Sequence, residues 1–367
     1  MHVLNRWYQK YFSDPEGIIL AILLMLGFAV IIFLGEMLAP VLASVVIAYM
    51  LDGLVAWLQR HGMGRRLSVL VIFIPFVVVS LFMILGLFPL LVGQVTQLVQ
   101  DLPTMISSGQ AKLLRLPELY PQLINDTQVT EVMATIRSYV TSLGQNVVSL
   151  SLASLTGVFV MIVYMVLVPV LVFFFLKDKD KIIEWAADYL PKERALAARV
   201  GVEMNQQIAN YIRGKITEII VVGVISYIVF AIMGLHYAML LGALVGFSVV
   251  IPYIGAAAVT LPVALIAYFQ WGLEPQFAYL MVAYGIIQAL DGNLLVPWLF
   301  SEAVNLHPVA IIIAVLVFGG FWGVWGVFFA IPLATLVKAV LNAWPRREEV
   351  DSESAAAQAA SSQIAQP

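Results

Sequence analysis

Gly157-Val-Phe-Val-Met-Ile-Val-Tyr-Met-Val-Leu-Val-Pro169-Val-Leu-Val-Phe-Phe-Phe-Leu176 is a run of apolar residues that stops at Lys177-Asp-Lys-Asp-Lys181. About 20 such residues make an α-helix long enough to cross the ~30 Å hydrocarbon core of a bilayer. The abrupt charged stop is what a chain shows on reaching water. Comparable runs lie on either side, at 18–34, 37–58, 67–92, 216–234, 238–270, 275–297 and 307–341. Composition agrees: 62% of residues are hydrophobic, 11% are charged, and the mean hydropathy is +0.97. A soluble domain carries roughly a quarter charged residues. A membrane β-barrel would alternate in short segments and would lack these continuous runs. The sequence therefore predicts an all-α, polytopic membrane protein with about eight transmembrane helices, in contact with the lipid bilayer.

The organisation expected is a three-helix membrane segment (1–92), an external amphipathic segment (93–156) and a fourth span (157–176). A cytoplasmic amphipathic segment (177–215), a C-terminal transport core (216–344) and a disordered tail (345–367) follow. Only Gly35-Glu36 separates the first two runs, which predicts a tight hairpin. Val132, Ile136, Tyr139, Val140, Leu143, Val147 and Leu150 recur at helical spacing, as do Leu196, Val200, Met204, Ile208 and Tyr211 or Ile212. Basic residues at 6, 10, 60–66, 177–215, 338, 346 and 347 fall on one side of this topology. The positive-inside rule then places both termini in the cytoplasm.

Several chemistries are excluded. The chain has no cysteine, which removes disulfides, thiolate metal sites and cysteine nucleophiles. A net charge of −3 without a basic stripe argues against nucleic acid as a partner. No glycine cluster has the Walker pattern, no His-Glu-x-x-His is present, and the four histidines are scattered. No cofactor, metal or enzymatic activity is expected.

Between Lys215 and Lys338 there is no lysine or arginine, yet the region holds Glu218, Glu274, Asp291 and Glu302. Ionisable groups at membrane depth are costly and usually face a cavity or pathway. Asp291 lies in a polar island with Gln288 and Asn293, and Glu302, Asn305 and His307 follow. Without a local cation, Asp291 must be protonated, cation-bound, solvated in a cavity or paired with a remote segment. A capped helix break is the plainer alternative. For Asn305 to Pro308 a helix start is equally natural, with Pro308 in the first turn. Arg213, Lys215 and Glu218, after Tyr211, mark a cytoplasmic junction that could gate the site, although basic residues there also serve as ordinary anchors. The runs 238–270 and 307–341 are long for one span and short for two. Each is interrupted, the first at Pro252, Tyr253 and Gly255, the second at Gly319, Gly320 and Gly323. Each also reaches a later proline, Pro262 or Pro332. They read as a weak internal repeat of two broken or re-entrant elements, or as two kinked, tilted helices.

The segments Pro169-Val-Leu-Val-Phe-Phe-Phe-Leu-Lys177-Asp-Lys179, Tyr211-Ile-Arg-Gly-Lys215 and Leu244-Val-Gly-Phe-Ser-Val-Val-Ile-Pro252-Tyr-Ile-Gly255 resemble the autoinducer-2 exporter family. So do Gln288-Ala-Leu-Asp291-Gly-Asn293-Leu-Leu-Val-Pro297 and Gly319-Gly-Phe-Trp322-Gly-Val-Trp325-Gly-Val-Phe-Phe-Ala-Ile-Pro332. The opening Trp7-Tyr8…Phe12-Ser-Asp-Pro15 and the run Leu299-Phe-Ser-Glu302-Ala-Val-Asn305-Leu-His307-Pro308 are similar to a permease branch of that family. The resemblance spans about residues 5–345. It implies an inner-membrane, multi-pass protein and a homo-oligomer, with a pentamer among the candidate assemblies. It also implies a small-molecule or ion substrate, since members are linked to export of a small signalling molecule or to sodium/proton antiport. The expectation is a secondary transporter with Asp291 carrying a coupling cation. The rival is a membrane scaffold or regulator that binds partner proteins through its extramembrane helices.

Overall fold

In the computed structural model, residues 15–113, 154–189, 195–300 and 306–343 are described, together with positions 131, 134, 135 and 138. Every regular element among them is helical. The helices are α1 (Pro15–Arg60), α2 (Arg65–Phe82), α3 (Phe88–Leu113), α4 (Ser154–Lys177), α5 (Lys179–Asp188), α6 (Ala195–Ile232) and α7 (Ala238–Ser248). Then come α8 (Ile254–Trp271), α9 (Pro275–Leu290), α10 (Val296–Phe300), α11 (Pro308–Phe328) and α12 (Ala330–Ala343). Single π-turns join α2 to α3 (Met83–Leu87) and α9 to α10 (Asp291–Leu295). Six helices among the described residues are long and apolar enough to cross a membrane, or seven if α4 and α5, parted only at Asp178, count as one span. The all-α, polytopic expectation holds.

The first boundary differs from the sequence expectation. Gly35-Glu36 is no turn, and α1 runs unbroken for 46 residues, roughly 69 Å at 1.5 Å per residue. Gly35 is buried, and a Cβ there would lie 2.5 Å from the Trp322 indole nitrogen. The glycine admits an aromatic ring rather than bending the chain. Likewise the helix does not end near Gly93: α3 passes through it to Leu113. The amphipathic stripe at 196–212 and the following span are one continuous helix, α6.

The chain forms two compact units. The described parts of the first lie within Met1–Leu42, Asp178–Arg213 and Glu302–Pro367. Its core joins Leu20 of α1, Val200 and Met204 of α6, and Ala339 of α12, so the expected stripe on α6 is the buried face. The second lies within Ala43–Lys177 and Gly214–Ser301. In it α1, α2 and α4 pack through Leu51, Val55, Val69, Val172 and Leu176. Arg65 donates to Leu176 O at 3.0 Å and so caps the last turn of α4. A larger core, including Phe230, Leu241, Val245, Val263 and Leu280, joins α6, α7, α8 and α9. Here Gly242 and Gly246 meet α6 so closely that added Cβ atoms would stand 2.7 Å from Tyr227 and from Ile219 O. Membrane helices associate by such small-residue contact, because lipid removes the hydrophobic drive between them. Many apolar side chains of the spans, such as Ile74, Phe82, Leu261 and Val282, point outward, as a lipid-facing surface requires.

Both elements expected to be broken are broken. In the first, α7 ends at Ser248, the chain turns through Val249–Tyr253, and α8 starts at Ile254. Tyr253 takes φ +63. A Cβ on Gly255 would overlap the Ser248 carbonyl, so the two arms close onto each other at backbone distance. In the second, Gly323 leaves helical geometry at φ 57, ψ −136. Beyond it, Gly326 comes against the Phe318 carbonyl in the same manner. Trp322 and Trp325 both stack on Phe329, at centroid distances of 6.0 and 6.3 Å.

Candidate functional site

Lys215 and Glu218 sit one helical turn apart on α6 and are 4% and 2% exposed. Lys215 Nζ lies 2.6 Å from Glu218 Oε2 and donates to Val249 O at 3.0 Å, where α7 ends. It also stands 5.1 Å from the centroid of the Phe300 ring. An ammonium has three donors and no acceptor, and here they meet a carboxylate, a carbonyl and an aromatic face. Gly214 makes room for that ring, since a Cβ on it would be 2.8 Å from a Phe300 ring carbon. Lys215 and Glu218, read from sequence as a gate or cytoplasmic junction, thus form a buried ion pair. Breaking such a pair strands an uncompensated charge.

Asp291 is half-buried at the start of the π-turn, and its charge acts on both Lys215 and Glu218. Lys215, on the remote helix α6, is the cation whose charge reaches Asp291. Asp291 Oδ1 is buried and has no hydrogen-bond partner. The cluster thus sets two carboxyl groups against one ammonium. With all three ionised it carries one negative charge more than it can neutralise. Gln288, one turn earlier on α9, has its amide Nε2 buried without a hydrogen-bond partner. A π-turn widens the helix at this point, a distortion frequently found at functional sites.

The other expected residues are distributed differently. Asn293 is exposed and donates to Ala289 O of its own helix at 2.8 Å. Pro252 and Tyr253 lie in the α7–α8 turn whose Val249 carbonyl Lys215 holds, and Gly255 lies in the first turn of α8. Arg213 is exposed and bonds Ala209 O and Asn210 Oδ1 on α6. His307 begins α11, its Nδ1 accepting from Val309 N at 3.3 Å, with Pro308 next, as the helix-start reading had it. Gly319, Gly320 and Gly323 lie in the second reversal. Glu302 and Asn305 lie outside the described residues. Among the described residues no group of three or more His, Cys, Asp or Glu side chains could hold a metal ion.

Tyr211, Tyr284, Thr260 and Phe300 were not singled out as site residues by sequence reasoning. Tyr211 donates to Phe328 O at 2.8 Å with its ring edge-on to Phe328. Its place one turn before Lys215 on a buried stripe was the available signal. At the opposite end of α7, Tyr237 donates to Asp101 and Leu240 N donates to Gln94 Oε1 at 2.9 Å, which fastens α7 to α3. Burial, with the Asp101 carboxylate beside it, pushes the Tyr237 phenol up to about 12, so it remains a neutral donor at physiological pH.

A polytopic helical protein with two interrupted elements, one of them held at its turn by a buried ammonium, has the architecture of a membrane transporter. Residues 19–346 match the AI-2E family transporter family, and the chain belongs to that family. It is 48% identical over 345 residues to the Escherichia coli (strain K12) protein named "Putative permease PerM", covering 94% of this chain and 98% of that one. It is 29% identical over 315 residues to "Putative transport protein YueF" of Bacillus subtilis, covering 84% of each. The archaeal "Putative transport protein MJ1177" of Methanocaldococcus jannaschii is 23% identical over 340 residues, covering 92% and 96%.

Proposed function

We propose that this protein is an inner-membrane secondary transporter of a small solute or ion, driven by a proton or sodium gradient, with both termini in the cytoplasm. Asp291 is the residue on which the coupling cation rides. The observation that carries this reading is the charge balance: one buried ammonium, two carboxyl groups, and a buried Asp291 oxygen with no partner. A single proton or monovalent cation neutralises the cluster, and its arrival changes what Lys215 must hold. Lys215 in turn holds the carbonyl at the α7–α8 turn, so cation binding reaches the broken element through one side chain. The relatives' names support transport without specifying a substrate. A homo-oligomeric assembly is part of the proposal.

The test is gradient-driven flux in proteoliposomes, with solute and sodium screens run on wild type and Asp291→Asn. The variant is expected to lose gradient-driven accumulation while remaining folded. Unaltered flux and pH dependence in Asp291→Asn would remove that residue from the mechanism.

A further inference from the structure

α5 is amphipathic, yet none of its ten residues is buried by the described parts of the chain. Ile182, Trp185, Ala186 and Tyr189 recur at intervals of three and four, so they share one face. Asp180, Glu184 and Asp188 recur every four residues on the other side. Trp185 is 63% exposed, and Tyr189, which follows the helix directly, is 76% exposed. Their rings meet edge to face at 5.3 Å. An apolar face of this kind is unfavourable in water.

The place of α5 in the chain says what covers that face. α4 is apolar throughout and ends at Lys177, whose Nζ lies 5.6 and 5.8 Å from the ring centroids of Phe173 and Phe174. A lysine in the last turn of a span, lying along its final aromatic residues, marks where hydrocarbon gives way to headgroups. The outward stripe of α4, Ile162, Val166, Val170 and Phe174, reaches that same level. Only Asp178 separates α4 from α5, and the chain bends there by 82°. A span tilts on average by about 20° from the bilayer normal, so a helix leaving its end at that angle runs close to the membrane plane. It does not turn back into the bilayer, because three carboxylates in ten residues bar it from hydrocarbon.

We propose that α5 lies in the headgroup zone of the bilayer, with Ile182, Trp185 and Tyr189 seated at the boundary with the acyl chains and the acidic stripe turned to water. Tryptophan and tyrosine favour that boundary because each joins a large apolar ring to one polar group. The partner is the apolar edge of the lipid, not an anionic headgroup. α5 carries two lysines against three acids, so attraction to a negative surface does not hold it. The inference depends on α4 crossing the membrane and is independent of the part assigned to Asp291.

The chain has no cysteine, so a single introduced one carries a spin label at one known position. Two variants of the full-length protein are labelled in nanodiscs of phosphatidylethanolamine and phosphatidylglycerol: Ala186→Cys on the apolar face and Glu184→Cys on the acidic side. Paramagnetic relaxation then reads collision with oxygen, which partitions into lipid, and with a nickel chelate, which stays in water. The oxygen-to-nickel ratio is expected to be several times higher at position 186 than at position 184, in low and high salt alike. Adding Trp185→Ser to Ala186→Cys should bring the ratio down towards that of position 184. A ratio favouring nickel at position 186 would put the face in water. A label there that meets neither reagent would put protein over it, from this chain or from a second copy. Either result overturns the proposal, as does a difference lost in high salt or a ratio unmoved by Trp185→Ser. No flux enters the readout, so a failure here and a failure of transport are read separately.

Discussion

The elements 238–271 and 308–343 reverse the chain with the same device and secure it differently. In each, a glycine seven or eight residues after a carbonyl lets the returning arm touch backbone: Gly255 against Ser248 O, Gly326 against Phe318 O. In each, a side chain from α6 holds a carbonyl at a helix C-terminus. For the first it is the ammonium of Lys215 on Val249 O. For the second it is the hydroxyl of Tyr211 on Phe328 O. A phenol held this way is indifferent to neighbouring charge. An ammonium shared with Glu218 and sensed by Asp291 is not. The comparison teaches that backbone geometry alone does not mark the responsive element; the chemistry of its latch does.

Four single substitutions would break or sharpen that contrast, in descending order of effect. Lys215→Met should destabilise the protein by about 3–5 kcal/mol, because it leaves a buried carboxylate without its partner. Thermal unfolding in detergent reads this, and adding Glu218→Gln to the same protein should recover much of the loss. If the double variant is no better than the single one, the pair is not the source of the cost. Gly255→Ala and Gly326→Ala should each cost about 1–3 kcal/mol or more, since backbone rather than a flexible side chain would have to yield. Comparable melting shifts support one shared device, and tolerance at either position would end the parallel. Tyr211→Phe should cost only about 1 kcal/mol, the net worth of one hydrogen bond. It should also leave any pH dependence of transport unchanged. A shifted pH profile in Tyr211→Phe would show that the second latch also responds to charge.

Much of this fold was readable from hydropathy, because a bilayer demands long apolar helices and the chain supplies them. The two interruptions were readable as well, since Pro252-Tyr-Ile-Gly255 and Gly319-Gly-Phe-Trp-Gly323 concentrate residues that break helices. Gly35 was misleading for a physical reason. A glycine that admits a ring and a glycine that bends the backbone are the same letter, and only Trp322, nearly 290 positions away, distinguishes them. The site was half readable. Asp291 stood out by cost, and the Lys215–x–x–Glu218 spacing permits a helical ion pair. Their burial depends on Val249 and Phe300, distant contacts that periodicity cannot supply. His307 was fairly read as a helix start, because Pro308 follows it directly.

The π-turn at Asp291–Leu295 has a consequence for how this chain tolerates insertion and deletion. Such a turn is an α-helix with one residue too many, and it is tolerated only because the surrounding contacts hold the surplus in place. Removing one residue, such as Gly292, which has no neighbouring atom within 4 Å of where its Cβ would be, would let the helix regain ordinary pitch. Everything after it would then rotate by about 100°, carrying Phe300 away from Lys215 while leaving Gln288 where it is. The width of one turn thus sets the phase between the two ends of a single span, and a one-letter change in length acts on it more severely than most changes in residue identity.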